Sequence, residues 1–98
     1  MNDKEFEAFH EVRFNELPPE LVAICVDHIR QELPESTLQD IREQMADDPI
    51  HWCSPHHFGW GMSMRNLLRD VVADDELPSG NWDDYYVKII EEAAHVKP

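Results

Sequence analysis

Apolar residues in this chain recur three and four positions apart, the spacing of an amphipathic α-helix, and prolines cut that pattern into segments. Phe6, Phe9 and Val12 predict a first helix that ends near Asn15, with Asn2 or Asp3 as its N-cap. Leu17-Pro18-Pro19-Glu20 reads as a break and then a helix start, Pro19 being suited to a first turn. A second helix over about 19–32 spreads Leu21, Val22, Ile24, Cys25, Val26, Ile29 and Leu33 across a broad apolar face. Pro34 ends it. Ser36-Thr37-Leu38-Gln39 has the form of a capping box, which opens a third helix over about 37–47 with Leu38, Ile41 and Met45 inward. Asp47-Asp48-Pro49 closes that helix.

After a loop over 50–57, Ser54-Pro55 makes an N-cap and first-turn pair for a fourth helix, expected over about 55–73. Phe58, Met62, Arg65, Leu68, Arg69 and Val72 fall near one side of it. Gly59 and Gly61 sit in its opening turns, where each costs up to about 1 kcal/mol relative to Ala. Their presence predicts close approach of a backbone or a ligand. Asp74 to Gly80 is a polar connector, and Asn81 caps a last helix over about 82–95 carrying Trp82, Tyr85, Tyr86, Ile89, Ile90 and Ala93. No segment alternates in the manner of a strand. The expected fold is all-α, one domain over 1–98 built from about five short helices.

Composition agrees. Ninety-eight residues hold one core, and 42% hydrophobic with 30% charged is a globular balance. No apolar run approaches the roughly 20 residues of a membrane span. The start, Met1-Asn2-Asp3-Lys4-Glu5, has neither the basic nor the apolar region of a signal peptide, so a cytoplasmic protein is expected. Cys25, inside an apolar run, reads as a buried reduced thiol rather than half of a disulfide to Cys53.

Charge changes the picture most. Twenty-one acidic residues stand against eight basic ones, a formal net charge of −13. That excess opposes direct contact with nucleic acid or anionic membrane, which need Lys and Arg. It favours a partner with a basic surface, and the competing explanation is solubility alone. The acids are unevenly spread: 13 lie in residues 1–49, seven in 74–98, and only Asp70 in 50–73. That acid-poor island also holds Arg65, Arg69 and three of the six histidines.

Several chemistries fit the island on paper. His51, Cys53, His56 and His57 are good zinc-ligand types, but their spacing within seven residues matches no standard pair-and-pair site. Packing and capping roles suit them better, and no metal is assigned. Cys53 beside a histidine lacks any nucleophile signature. Gly59-Trp60-Gly61 has neither the third glycine nor the preceding strand of a dinucleotide site, so no cofactor is expected. Arg65 and Arg69, one turn apart, can clamp an anion but more readily pair with the chain's own carboxylates. Trp60, Met62 and Met64 are either a hydrophobic anchor or core.

The run His57-Phe58-Gly59-Trp60-Gly61-Met62-Ser63-Met64-Arg65-Asn66 resembles an uncharacterised domain family of bacteria and their phages, with a pattern like His-Phe-Gly-x-Gly-Met-x-x-Arg-Asn. Asn81-Trp82-Asp83-Asp84-Tyr85-Tyr86 resembles a second block in phage-borne members. Together the two blocks span residues 57–70 and 81–90. The resemblance marks His57, Phe58, Gly59, Trp60, Gly61, Met62, Arg65 and Asn66 as family-motif residues and implies a phage or prophage source. It brings no activity with it.

The expected function is therefore non-enzymatic. A small acidic protein would inhibit or modulate a host protein through that protein's basic, nucleic-acid-binding surface, in the manner of an anti-CRISPR or DNA mimic. Asp40, Glu43, Asp47 and Asp48, with Asp74, Asp75 and Glu76, are the candidate partner-binding residues. The alternatives are a small-ligand or metal site on the island 51–69, and a structural or assembly homodimer.

Overall fold

The computed structural model describes residues 3–53 and 59–95. Among them run five α-helices: α1 (Asp3–Asn15), α2 (Pro19–Glu32), α3 (Glu35–Asp47), α4 (Trp60–Arg69) and α5 (Tyr86–Ala94). Two 3-10 turns, Asp74–Glu76 and Trp82–Asp84, lie between α4 and α5. No described residue is in a strand, so the protein is all-α. None of the described helices is long and apolar enough to cross a membrane.

The last helix is the axis of the fold. Tyr86, Ile89, Ile90, Ala93 and Ala94 are all buried, a stripe at i, i+3, i+4, i+7 and i+8 wide enough to meet several neighbours. The other four helices all pack on α5. Cys25, Val26 and Ile29 of α2, Leu38 and Ile41 of α3, and Met64 and Leu68 of α4 complete the core. Beneath the α4–α5 connection Trp82 is fully buried, its indole N–H donating to the Val72 carbonyl at 2.9 Å.

Small alanines at the end of α5 let α2 and α3 come close, and each neighbour uses an arginine there. Arg30 donates to the carbonyls of Glu92 (3.2 Å), Ala93 (3.0 Å) and His95 (3.4 Å), and Arg42 donates to that of Ala94 (2.8 Å). The final carbonyls of a helix have no partner within it and carry its negative dipole end. Two cations borrowed from neighbouring helices satisfy both needs and tie three helices together.

Several sequence expectations shift. Helix α3 begins at Glu35, with Pro34 as N-cap and no side-chain cap; Ser36 lies inside the first turn. Pro34 already has a suitable φ of −63°, and its carbonyl accepts from Thr37 and Leu38, so a serine cap is not needed. The fourth helix is shorter than expected, starting at Trp60 after Gly59, while Ser54, Pro55 and the proposed cap lie outside the described residues. It ends at Arg69, where bonds from Asp70 to Leu67 and from Val71 to Leu68 tighten the backbone. Asn81 does cap, accepting from Asp83 N at 3.0 Å, but it opens a 3-10 turn before α5 rather than one continuous helix.

Facing is also corrected in places. Val12 is 64% exposed, and α1 contributes half-buried Phe6, Phe9 and Phe14 instead of a buried stripe. Ile24 and Met62 point outward as well. Gly61 is buried, but a Cβ added at Gly59 would meet nothing within 4 Å, so crowding does not demand glycine there.

Candidate protein-interaction surface

Of the residues singled out on the island, Cys53, Gly61, Met64 and Arg65 fold into the interior, whereas Met62, Asn66 and Arg69 are exposed. Arg65 is 6% exposed; its Nε donates to Asp83 at 2.9 Å, and its guanidinium lies 4.9 Å from the centre of the Tyr86 ring. The Cys53 thiol donates to the Tyr86 hydroxyl at 3.6 Å. Burial pushes both acidities away from use: the Cys53 thiol is raised, despite the opposing effect of its hydrogen bond with Tyr86, and the Tyr86 phenol is raised by burial and by Cys53. A thiol held neutral is a poor nucleophile and a poor metal ligand. Cys25 is likewise a free, buried thiol, raised to about 11 by burial.

His51 goes elsewhere, its ring 4.9 Å from that of Phe6. Its backbone N–H donates to Asp48 at 3.1 Å, which shapes the loop after α3. His56, His57 and Phe58 lie outside the described residues, and among the described ones no three His, Cys, Asp or Glu side chains converge as metal ligands. Arg69 pairs with Asp74 at 2.6 Å and with Asn66 at 2.8 Å, so both island arginines are held by groups of this chain.

That behaviour is general. Six of the eight basic residues are engaged internally: Arg13 with Glu16, Arg30 with the end of α5, Arg42 with Ala94 and Glu35, Arg65 with Asp83, Arg69 with Asp74, and Lys88 with Glu11 and Glu91. The acids are not matched in the same way. Asp40, Glu43 and Asp47 are exposed at i, i+3 and i+7, one face of α3, and among the described residues no cation lies within ion-pair distance of them.

The second acidic group is built differently. Asp74 accepts from Arg69 and from Trp82 N at 3.1 Å, and the Arg69 hydrogen bond chiefly holds its carboxyl below the ordinary carboxylate range. Glu76 reaches back to Ala73 N at 2.8 Å. Of this group Asp75 is exposed and has no described cation within ion-pair distance. The structure thus gathers Asp40, Glu43 and Asp47 on α3 and ties the Asp74–Glu76 turn to α4.

Beside the α3 face lies a feature that sequence reasoning missed. Thr37, Asp40, Ile41 and Gln44 of α3, with Trp52 and Trp60, line a cavity of about 220 Å³. The two indoles stand 6.0 Å apart at 67°. Trp52 is 4% exposed, and its buried indole N–H lies near Glu91 without meeting hydrogen-bond geometry. The signal was present at the α3 end: Thr37, Asp40 and Gln44 flank Ile41 at helical spacing, a polar edge beside the apolar stripe. Compared with protein-family models, with curated proteins and with solved structures, the chain matches none.

Proposed function

We propose that this protein acts by binding, without catalysis, and that the acidic face of α3 engages a basic surface on a partner protein in the cytoplasm. The observation that supports this reading is the asymmetry of charge use. Six of the eight basic residues are engaged in internal structure, which leaves Asp40, Glu43 and Asp47 as an uncompensated row over two helical turns. Such a row, on a chain with formal charge −13, imitates the spaced charges of a phosphate backbone. The partner that fits is a host nuclease, polymerase or CRISPR effector, met at its nucleic-acid groove by a phage- or prophage-encoded inhibitor of the DNA-mimic kind.

The test is capture from a host lysate at low and at moderate salt, with and without duplex DNA as competitor. One nucleic-acid-binding protein should be retained, lost as salt rises, and released by DNA. The triple reversal Asp40→Lys, Glu43→Lys, Asp47→Lys should weaken that capture at least about tenfold, because like charges would then face each other. Capture that ignores salt, DNA and the reversal would refute the reading.

A further inference from the structure

The cavity beside Asp40 has a chemistry more specific than negative charge. Two indoles in edge contact, the half-buried Trp60 and the buried Trp52, line it together with Asp40. Indole faces are the electron-rich surfaces that attract cations most strongly among aromatic side chains. Asp40, with Glu43 and Asp47 on the same helix face, repels an anion from the same opening. Size narrows the choice further. At about 220 Å³ the cavity is smaller than the roughly 300–1,000 Å³ of pockets that take drug-sized ligands or cofactors. It suits a single side chain or a small organic cation.

We propose that this corner is a socket for one arginine side chain of the partner protein, a proposal that rests on the binding reading above. A guanidinium is flat enough to stack on an indole, weakly hydrated enough to leave water, and shaped to donate two hydrogen bonds to a carboxylate. Half-buried Trp60 supplies the stacking surface, with the buried Trp52 packed edge-on behind it; Asp40 supplies the charge and Ile41 an apolar contact for the side-chain stem. The socket places a geometrically demanding contact inside a long-range electrostatic field. The field speeds encounter, and the filled pocket selects the partner.

The probe is N-acetyl-arginine amide titrated into the whole protein, read by the indole N–H resonances of the three tryptophans. Its control is the citrulline analogue, nearly the same shape without charge. The indole signals of Trp52 and Trp60 should shift saturably in the millimolar range. Trp82, fully buried with its N–H on Val72, should stay still and act as an internal reference. Citrulline should bind at least about tenfold more weakly, and Asp40→Asn should weaken the arginine probe about fivefold or more. Glu32→Gln, exposed on α2, should leave it unchanged. Equal shifts with citrulline, an unaffected Asp40→Asn protein, or movement of Trp82 with the others would each overturn the socket. A protein that ignores the probe yet still captures its partner in a salt-dependent way loses the socket and keeps the acidic surface. A protein that takes the probe into the tryptophan corner but captures nothing keeps the socket and loses the partner reading.

Discussion

Two acidic segments of this protein look interchangeable in composition and sit in opposite environments. In the Asp74–Glu76 turn, carboxylates are structural ligands: Asp74 holds Arg69 and the Trp82 backbone, and Glu76 closes its own turn onto Ala73. On α3, Asp40, Glu43 and Asp47 face solvent along one stripe, and the single arginine of that helix, Arg42, turns away to the end of α5 and to Glu35. A carboxylate beside a donor helps the fold. A carboxylate beside other carboxylates costs the fold something.

The comparison is broken most violently from beneath the turn. Trp82→Ala removes a fully buried indole, its bond to Val72, and the platform on which Asp74 sits. A loss of about 3–5 kcal/mol is expected in urea unfolding, a large fraction of the stability of a domain this size. A loss below about 1 kcal/mol would mean that Trp82 is no keystone.

Next in size is the direct contrast between the segments. Asp74→Ala strands a backbone N–H and removes the Arg69 partner, for an expected cost of about 1–3 kcal/mol. Asp40→Ala should change stability by no more than about 0.5 kcal/mol, as an exposed position without an internal partner does. Equal costs for the two would erase the distinction between structural and outward-facing acid.

Why the sequence did not separate them is instructive. The helices were legible because proline breaks and helical spacing are local: α1, α2 and α3 emerged near their observed bounds, whereas the last helix, expected over about 82–95, starts only at Tyr86. Facing was less legible. Val12, Ile24 and Met62 satisfy the helical spacing yet lie outside, because only the positions of the neighbouring helices decide which edge of a wide apolar stripe is covered. The fate of each charge was hidden for the same reason. Arg30 lies 63 residues from Ala93 and Arg42 lies 52 from Ala94, so their capping of α5 has no local signature. Spacing alone suits Arg65 to an anion clamp, but Asp83, 18 positions on, reaches it only through the fold. The tryptophan cavity likewise joins α3 to Trp52 and Trp60, two residues outside that helix.

Titration sharpens the contrast with two carboxyls that should move oppositely. The Arg69 hydrogen bond holds Asp74 low, so its stabilising effect is present above the ordinary aspartate range and is lost as pH falls through the depressed value. Burial raises Glu91, against the opposing pull of Lys88, so the folded state favours its protonated form. Its contribution is greatest below the ordinary glutamate range and fades as pH rises through the elevated value. Carboxyl NMR should find Asp74 titrating below Glu91, and a reversed order would contradict both environments.

The smallest effect carries the sharpest logic. Asp47 is the last residue of α3, where the helix dipole is negative and cations are favoured, yet the last turn of α3 has no basic residue. Glu43 lies one turn before it, a like-charge neighbour at i, i+4. Both terms make Asp47 unfavourable where it stands, so Asp47→Asn should raise stability by about 0.5 kcal/mol at low ionic strength. Screening shortens the reach of these charges to about 3 Å at 1 M salt, and the gain should largely vanish there. Thermal unfolding of both proteins at low and high salt measures this directly. If the acidic face serves binding, the same substitution should weaken partner capture at low salt while it strengthens the fold. A variant that is more stable and binds equally well would show instead that Asp47 gives up stability for solubility alone.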